Sequence, residues 1–113
     1  MEPLTKYRGI IACVLEKYRD SYARGEPDSI DTAIVQDDAH GEYMLTQVGW
    51  QGEERTREVV FYLRLKNGKI HIEEDWTEEG VVMDLTRAGV PHHDIVLAFN
   101  PPFVRHLTEY AVS

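Results

Sequence analysis

The dipeptide Asn67-Gly68 constrains the fold of this chain more than any other feature of the sequence. It lies between two runs rich in β-branched and aromatic residues, REVVFYLRLK before it and KIHIEE after it. Asn-Gly in such a position is typical of a two-residue type I′ turn, because both turn positions require a positive φ angle. The sequence therefore predicts a β-hairpin in which Lys66 lies opposite Lys69.

The predicted hairpin has one apolar face and one mixed face. Its turn fixes the following opposite pairs: Leu65 with Ile70, Leu63 with Ile72, and Phe61 with Glu74. The first face, with Val59 at its far end, is expected to join the core. The second face carries Tyr62, Arg64, Lys66, Lys69, His71 and Glu73. Because no other amphipathic segment is available to cover it, this second face is either solvated or an interface with a second copy or another protein.

The rest of the chain completes an α+β pattern. Apolar residues at helical spacing over residues 4–22 predict a long N-terminal helix, which Gly25 and Pro27 end. Strands are expected at residues 30–37, 42–50, 57–66, 69–74 and 95–99, with the polar segment QGEERT as a connection. Thr77 is the expected N-cap of a helix over residues 78–88, and a C-terminal tail forms a short helix or an extended arm. We expect one domain over residues 1–113, with the long helix packed on a mainly antiparallel sheet of about four to five strands and a second short helix.

The charge balance limits the possible partners. Twenty acidic residues against twelve Lys and Arg give a net charge of -8, which disfavours tight binding to a phosphate backbone. The single cysteine, Cys13, cannot form an intrachain disulfide, and no apolar run has the length of a membrane span. The N-terminus lacks the pattern of a signal peptide. A cytoplasmic protein is therefore expected.

The segment NGKIHIEEDWTEEG, residues 67–80, gathers five carboxylates between a strand and a helix. A metal-dependent nuclease of the restriction type requires a lysine two residues after its glutamate, on the same strand face. Here Asp75 follows Glu73 and Trp76 follows Glu74 at that spacing, so the lysine is missing. Acidic residues in a first helical turn are stabilised by the helix dipole, which favours a structural role for Glu78 and Glu79. A metal-dependent nuclease or DNA-processing enzyme using the Glu73–Glu79 cluster remains the alternative.

The sequence motifs give little support to a histidine metal site, nucleophilic catalysis or phosphate binding. No histidine pair has the spacing of a closed metal site, and neither a nucleophile elbow nor a phosphate-binding loop occurs. We therefore predict no catalytic residue, no metal and no cofactor. Trp50 and Trp76 end strands, where large aromatics usually pack the sheet edge but can also serve as stacking platforms. Direct DNA binding through Arg64, Lys66 and Lys69 is a further alternative, which the net charge opposes.

Several ordered motifs resemble the XisI family, the fdxN-element excision controlling factors of cyanobacteria. They are GKI-x-I-x-x-D-x-T-E at residues 68–78, G-V-P-x-x-D-I-V-L at 89–97 and P-x-x-R-x-x-T-E-x-A-V at 102–112. L-x-x-Y-R-x-I-I at residues 4–11 and V-G-W at 48–50 extend the resemblance across nearly the full chain. The resemblance implies an XisI-like fold.

The resemblance also implies a function without catalysis. Family members are accessory factors for site-specific excision of a DNA element during heterocyst development, and strand exchange belongs to the recombinase. The resemblance further implies that the chain contacts an XisH-like partner protein and engages DNA only indirectly. A homodimer is left open. In the tail, the polar residues between Phe103 and Val112 are expected either to lock the C-terminus to the body or to form a dimer contact. The candidate interface or family-motif residues are Trp50, Tyr62, Arg64, His71, Asp75, Trp76, Arg105, Thr108 and Glu109.

Overall fold

A computed structural model describes residues 3–113 of the chain. Its helices are α1 (Pro3–Gly25) and α2 (Val81–Arg87), and its strands are β1 (Ile30–Asp37), β2 (Glu42–Gln51), β3 (Glu54–Lys66), β4 (Lys69–Asp75) and β5 (Ile95–Leu97). Two 3₁₀ segments, His92–Asp94 and Pro102–Leu107, flank β5 and begin the tail. The predicted α+β class and order of elements are confirmed. Within the described residues, no helix is long and apolar enough to cross a membrane.

The strands form one sheet in sequence order, β1-β2-β3-β4-β5. The first three pairings are antiparallel, whereas β5 runs parallel to β4. A parallel neighbour requires a crossover connection, which α2 supplies here. The predicted polar connection at QGEERT is shorter than expected, because β2 and β3 extend to Gln51 and Glu54. The last strand is also shorter than predicted and ends at Leu97.

The Asn67-Gly68 turn has the geometry that the sequence predicts. Both residues have positive φ angles, 54° at Asn67 and 75° at Gly68. The hairpin register is confirmed for three pairs: Lys66 with Lys69, Leu65 with Ile70, and Leu63 with Ile72.

Beyond Leu63 the predicted register is wrong, because β4 contains a bulge. Phe61 pairs with Asp75 and Tyr62 pairs with Glu74, so one extra residue of β4 is inserted and Glu74 moves off the core face. Such a bulge increases the local twist and re-aims the side chains that follow it.

A second irregularity lies between β2 and β3. Leu45 pairs with Phe61, but Thr46 pairs with Val59. Val60 is therefore the inserted residue, and it is buried. The predicted core position of Val59 is wrong for this reason, since Val59 shares the opposite face with Thr46.

The core lies between the two helices and one face of the sheet. Tyr7, Ile11 and Leu15 on α1 are buried, and each buried apolar side chain contributes roughly 1.5–3 kcal/mol. They belong to one cluster with residues of the sheet and of α2. Those residues include Tyr43, Leu45, Phe61, Leu63, Ile70, Ile72, Val81 and Leu85.

A buried polar network joins the two helices. Asp84 on α2 is only 9% exposed and accepts hydrogen bonds from the Lys17 ammonium and from the Tyr18 hydroxyl, the latter at 2.5 Å. Burial alone would raise the pKa of the Asp84 carboxyl. The two hydrogen bonds and the charge of Lys17 outweigh that effect and leave the pKa below its ordinary value.

We expect Asp84→Asn to lower the free energy of unfolding at pH 7 by about 1–3 kcal/mol, because a charged hydrogen-bond acceptor is lost. The folded pKa lies below the unfolded value of 3.8, so the stabilisation by the charge is present above that value. It is lost as pH falls through the folded pKa. Urea unfolding should therefore show a smaller difference between the variant and the parent at pH 3 than at pH 7. Asp28→Asn, in an exposed loop, is the control with no expected effect.

Candidate functional surfaces

Asp75, at the end of β4, organises the acidic junction before α2. One carboxylate oxygen accepts hydrogen bonds from the Thr77 backbone N–H at 3.0 Å and the Thr77 hydroxyl at 2.6 Å. The other oxygen accepts the backbone N–H of Val81, the first residue of α2, at 2.7 Å. Both oxygens of Asp75 are thus used to fold the loop and to satisfy an N-terminal amide of the helix.

The prediction that Thr77 caps the second helix is wrong. The helix begins at Val81, after Gly80 with a φ of 95°, and the Thr77 hydroxyl donates to Asp75 instead. The acceptor for the helix amide comes from the strand, six residues before Val81. Glu78 and Glu79 consequently precede the helix, and Glu79 forms an ion pair with Arg87 at 2.9 Å.

The other acidic side chains of the junction point to separate partners. A Glu73 oxygen lies 4.0 Å from the Arg64 guanidinium, and Glu74 accepts a hydrogen bond from the Trp76 indole N–H at 3.0 Å. Within residues 3–113, no group of three or more His, Cys, Asp or Glu side chains is arranged to hold a metal ion.

Trp76 projects from the end of β4 beside an open cleft. Its backbone N–H donates to the Val60 carbonyl at 2.8 Å, whereas its side chain is 73% exposed. The cleft has a volume of ≈ 540 Å³, and Tyr22, Gln47, Glu58 and Glu74 contribute to its lining, as does Arg57. Burial, followed by the charges of nearby acidic residues, raises the pKa of Tyr22. The cleft therefore combines aromatic and acidic groups around one arginine.

The outer face is the side of the sheet that points away from α1 and α2. Across β4 and β5 this face is covered, since His71 is only 8% exposed and Val96 is fully buried. Burial lowers the pKa of the His71 imidazole, which keeps the ring neutral at pH 7. The expectation that nothing in the chain covers the second hairpin face is therefore wrong at this end, where Arg105 of the tail lies near enough to His71 to affect its pKa.

Tyr62 and Arg64 lie on the outer face and share one partner, Glu42. The Tyr62 hydroxyl donates to Glu42 at 2.9 Å, and the Arg64 Nε atom lies 3.2 Å from the same carboxylate. Trp50 lies further along this face, half-exposed, with the Arg55 guanidinium 5.3 Å from its ring centroid. These contacts hold the aromatic groups in place and partly neutralise the arginines.

Arg105 fastens the C-terminal tail. Its guanidinium donates to three backbone carbonyls: Asn100 at 3.0 Å, Val112 at 3.2 Å and Ala98 at 3.3 Å. The Thr108 hydroxyl donates to the Arg105 carbonyl at 3.0 Å, and a Glu109 oxygen lies 3.5 Å from His92. Arg105 and Thr108 are thus linked to each other within the tail, whereas Glu109 contacts His92 outside it.

The two apolar residues that bracket the polar part of the tail do not fix it to the body. Phe103 and Val112 are 76% and 52% exposed. Attachment comes instead from Tyr110, whose ring centroid lies 4.6 Å from that of His92, and from Ala111, whose N–H donates to the Ile95 carbonyl at 2.8 Å. The ammonium of Lys69 also donates to the Ser113 carbonyl at 2.6 Å.

Gly49 is a residue whose role the sequence reasoning missed. Its φ is +157°, and a Cβ atom there would lie 2.0 Å from the Ser29 carbonyl oxygen. The next residue, Trp50, donates its N–H to that same oxygen at 3.2 Å. The close approach of the two chain segments requires a glycine, and a glycine inside a strand pattern is the signal that could have revealed it.

Residues of the motifs quoted from the sequence have structural roles. Gly49 allows β2 to lie close to the start of β1, Asp75 and Thr77 shape the acidic junction, and Arg105 binds the tail carbonyls. A family model described as XisI protein matches residues 1–112. The chain belongs to the XisI family.

Two solved structures support the XisI fold. The fdxN element excision controlling factor XisI from Anabaena variabilis ATCC 29413 is 37% identical, with a TM-score of 0.85 over 99% of this chain and 100% of that chain. A XisI-like protein from the same organism is 29% identical, with a TM-score of 0.92 over 97% of this chain and 99% of that chain. Among curated proteins, none matches the sequence.

Proposed function

We propose that this XisI-family chain is a non-catalytic accessory factor in site-specific excision of a DNA element, and that it acts by binding an XisH-like protein. The observation that carries the proposal is the similarity, over 99% of the chain, to an excision controlling factor. Under this proposal the chain influences DNA only through its partner.

The contacts of the acidic junction support a structural use of its carboxylates. Both oxygens of Asp75 accept hydrogen bonds from Thr77 or Val81, and Glu79 is paired with Arg87. A metal-dependent nuclease would need such oxygens to be available to a cation. These contacts therefore favour an accessory role over the nuclease alternative.

The charges of the outer face argue against direct DNA binding. Arg64 lies near the carboxylates of Glu42 and Glu73, and the chain carries a net charge of -8. Binding to a phosphate backbone depends on several unneutralised cations. A protein partner with a basic surface is the better match.

Trp76 and its acidic surroundings form the surface that we assign to this partner. An exposed tryptophan attracts a guanidinium or ammonium group through the face of its ring, and interface energy concentrates on such aromatic residues. Glu58 and Glu74 lie beside the cleft and supply charge complementary to a cation. A lysine or arginine of an XisH-like protein fits this chemistry.

A pull-down from a lysate of the native host, read by mass spectrometry, tests the proposal. We expect the tagged chain to enrich an XisH-like protein and Trp76→Ala to reduce that enrichment by about tenfold, as for loss of a central aromatic contact. Phe103→Ala is the matched control, because Phe103 is also an aromatic side chain that is 76% exposed. Failure to capture an XisH-like protein with the parent chain would count against the proposed function.

A further inference from the structure

The open face is the part of the outer face formed by β1, β2 and β3, which the tail does not cover. Most of its central side chains are apolar, with Thr46 the polar exception, and Val35 and Val48 are 44% and 41% exposed. Ala33, Met44 and Val59 lie between them and are partly buried. An apolar centre of this kind, surrounded by charged residues, is the pattern of an interface.

The charges of the open face are separated between its two outer strands. Asp31 and Asp37 lie on β1, whereas Arg57 and Arg64 lie on β3. The strand register aligns them at two levels: Asp31 pairs with Val48, which pairs with Arg57, and Asp37 pairs with Glu42, which pairs with Arg64. Because directly paired residues point to the same side of a sheet, each level presents an acid at one edge and a base at the other.

The first of these levels is not neutralised within the chain. Asp31 and Arg57 are exposed, and neither has an ion pair or a side-chain hydrogen bond to any residue of 3–113. They are two strands apart, about 10 Å at the usual strand spacing, with Val48 between them. At the second level, Asp37 is bonded to His40 and Arg64 to Glu42.

We propose that a second copy of this chain packs against the open face and forms a two-fold symmetric dimer. A two-fold axis along β2 places β1 of each copy above β3 of the other. Asp31 of one copy then faces Arg57 of the other copy on each side of the axis, and Val48 meets Val48 of the other copy at the axis between these two contacts. Sheets that pack face to face keep their strands within about 30° of each other, so this alignment of levels is retained.

The self-complementary charges are what single out a second copy as the occupant. Two-fold dimers use the same patch on both subunits, so an acid on one side of the axis must match a base on the other. Two chains with a net charge of -8 each repel one another at long range, so a contact between them must offset that repulsion by local charge pairing. The open face meets both conditions. The open face meets the Trp76 cleft at Arg57. The dimer is tested on the chain alone and the partner through Trp76→Ala, so the two proposals can fail independently.

Sedimentation equilibrium of the full chain, with charge-reversed variants, tests the dimer. Asp31→Arg and Arg57→Asp each change two symmetry-related contacts from attraction to repulsion. We expect each to raise the dimer dissociation constant by about 100-fold, the range measured for close charge pairs at interfaces. The combined variant Asp31→Arg/Arg57→Asp restores the pairing with reversed signs and should return to within about tenfold of the parent.

Two controls make the same charge changes on the other side of the sheet. Asp20→Arg and Arg24→Asp lie on α1, and both should leave the dimer intact. If a reversal unfolds the chain, as judged by circular dichroism, Asp31→Asn and Arg57→Gln replace it, with an expected weakening of about tenfold. A monomeric parent at about 100 µM, or a dimer that survives either reversal, or a combined variant that stays monomeric, would each overturn the proposal.

Discussion

Asp75→Ala should lower the free energy of unfolding by about 2–4 kcal/mol, because three donors lose their common acceptor. Each hydrogen bond to a charged group contributes about 1.5–3 kcal/mol, and part of this returns as the freed groups find water. The Val81 amide loses the acceptor that fixes the start of α2, and the loop of residues 76–80 loses its bond to Thr77. Urea denaturation at pH 7, followed by circular dichroism, measures the change.

The control for Asp75 comes from the same acidic run. Glu78 is exposed, so Glu78→Ala should change the free energy of unfolding by less than about 0.5 kcal/mol. An equal loss of stability in both variants would mean that the junction is held by its total negative charge. An unchanged midpoint in Asp75→Ala would contradict the structural role that we give to this carboxylate.

Gly49→Ala is expected to destabilise the chain by about 3 kcal/mol or more, because the added methyl group meets backbone and not a movable side chain. The new Cβ would lie 2.0 Å from the Ser29 oxygen, with the Ile30 Cα at 3.0 Å. Relief requires β1 to move away from β2 at the point where Trp50 bonds to Ser29. Overpacking and backbone strain each cost about 1–3 kcal/mol. Thermal or urea unfolding gives the size of the loss.

Gly9→Ala is the matched control for that substitution. Gly9 lies within α1, and nothing is within 4 Å of the position that its Cβ would occupy. Replacing a helical glycine with alanine should stabilise the chain by about 0.5–1 kcal/mol. Opposite signs for the two variants are the expected result, and a Gly49→Ala protein as stable as the parent would show that β1 moves away at little cost.

The elements that the sequence predicts well are those that depend on local patterns. The Asn67-Gly68 turn and the alternation around it place the hairpin register correctly as far as Leu63. The bulges beyond that point were not predictable in the same way. Val60 is inserted and is buried in the core together with Phe61, and a strict alternation of inward and outward residues does not predict two successive buried residues.

The acidic junction shows the same limit for the candidate surfaces. The absence of the lysine that a restriction-type nuclease requires could be predicted from the sequence, since it depends only on the spacing of residues. The helix cap could not be predicted in this way. Thr77 has the residue type of an N-cap, but the acceptor for the first helix amide comes instead from Asp75 in the preceding strand. Because Gly80 has a positive φ, the helix begins only at Val81. The conformation of Gly80 depends in turn on the fixed position of the end of β4.

The tail and the outer face were predictable only as alternatives. The sequence left open whether the tail locks to the body and whether the second hairpin face is solvated or an interface, and it did not predict that part of this face is covered. The structure shows His71 buried and Arg105 donating to the carbonyls of Ala98, Asn100 and Val112. Such contacts join residues whose spacing in the sequence follows no helix or strand period, so no local pattern predicts them.

We propose that this chain works by binding an XisH-like protein and not by cutting DNA. Isothermal titration of the purified chain with a purified XisH-like protein tests it most directly. We predict a saturable complex with a dissociation constant at or below the micromolar range, weakened about tenfold by Trp76→Ala and unchanged by Phe103→Ala. No detectable heat or complex at micromolar concentrations of both proteins would contradict the account.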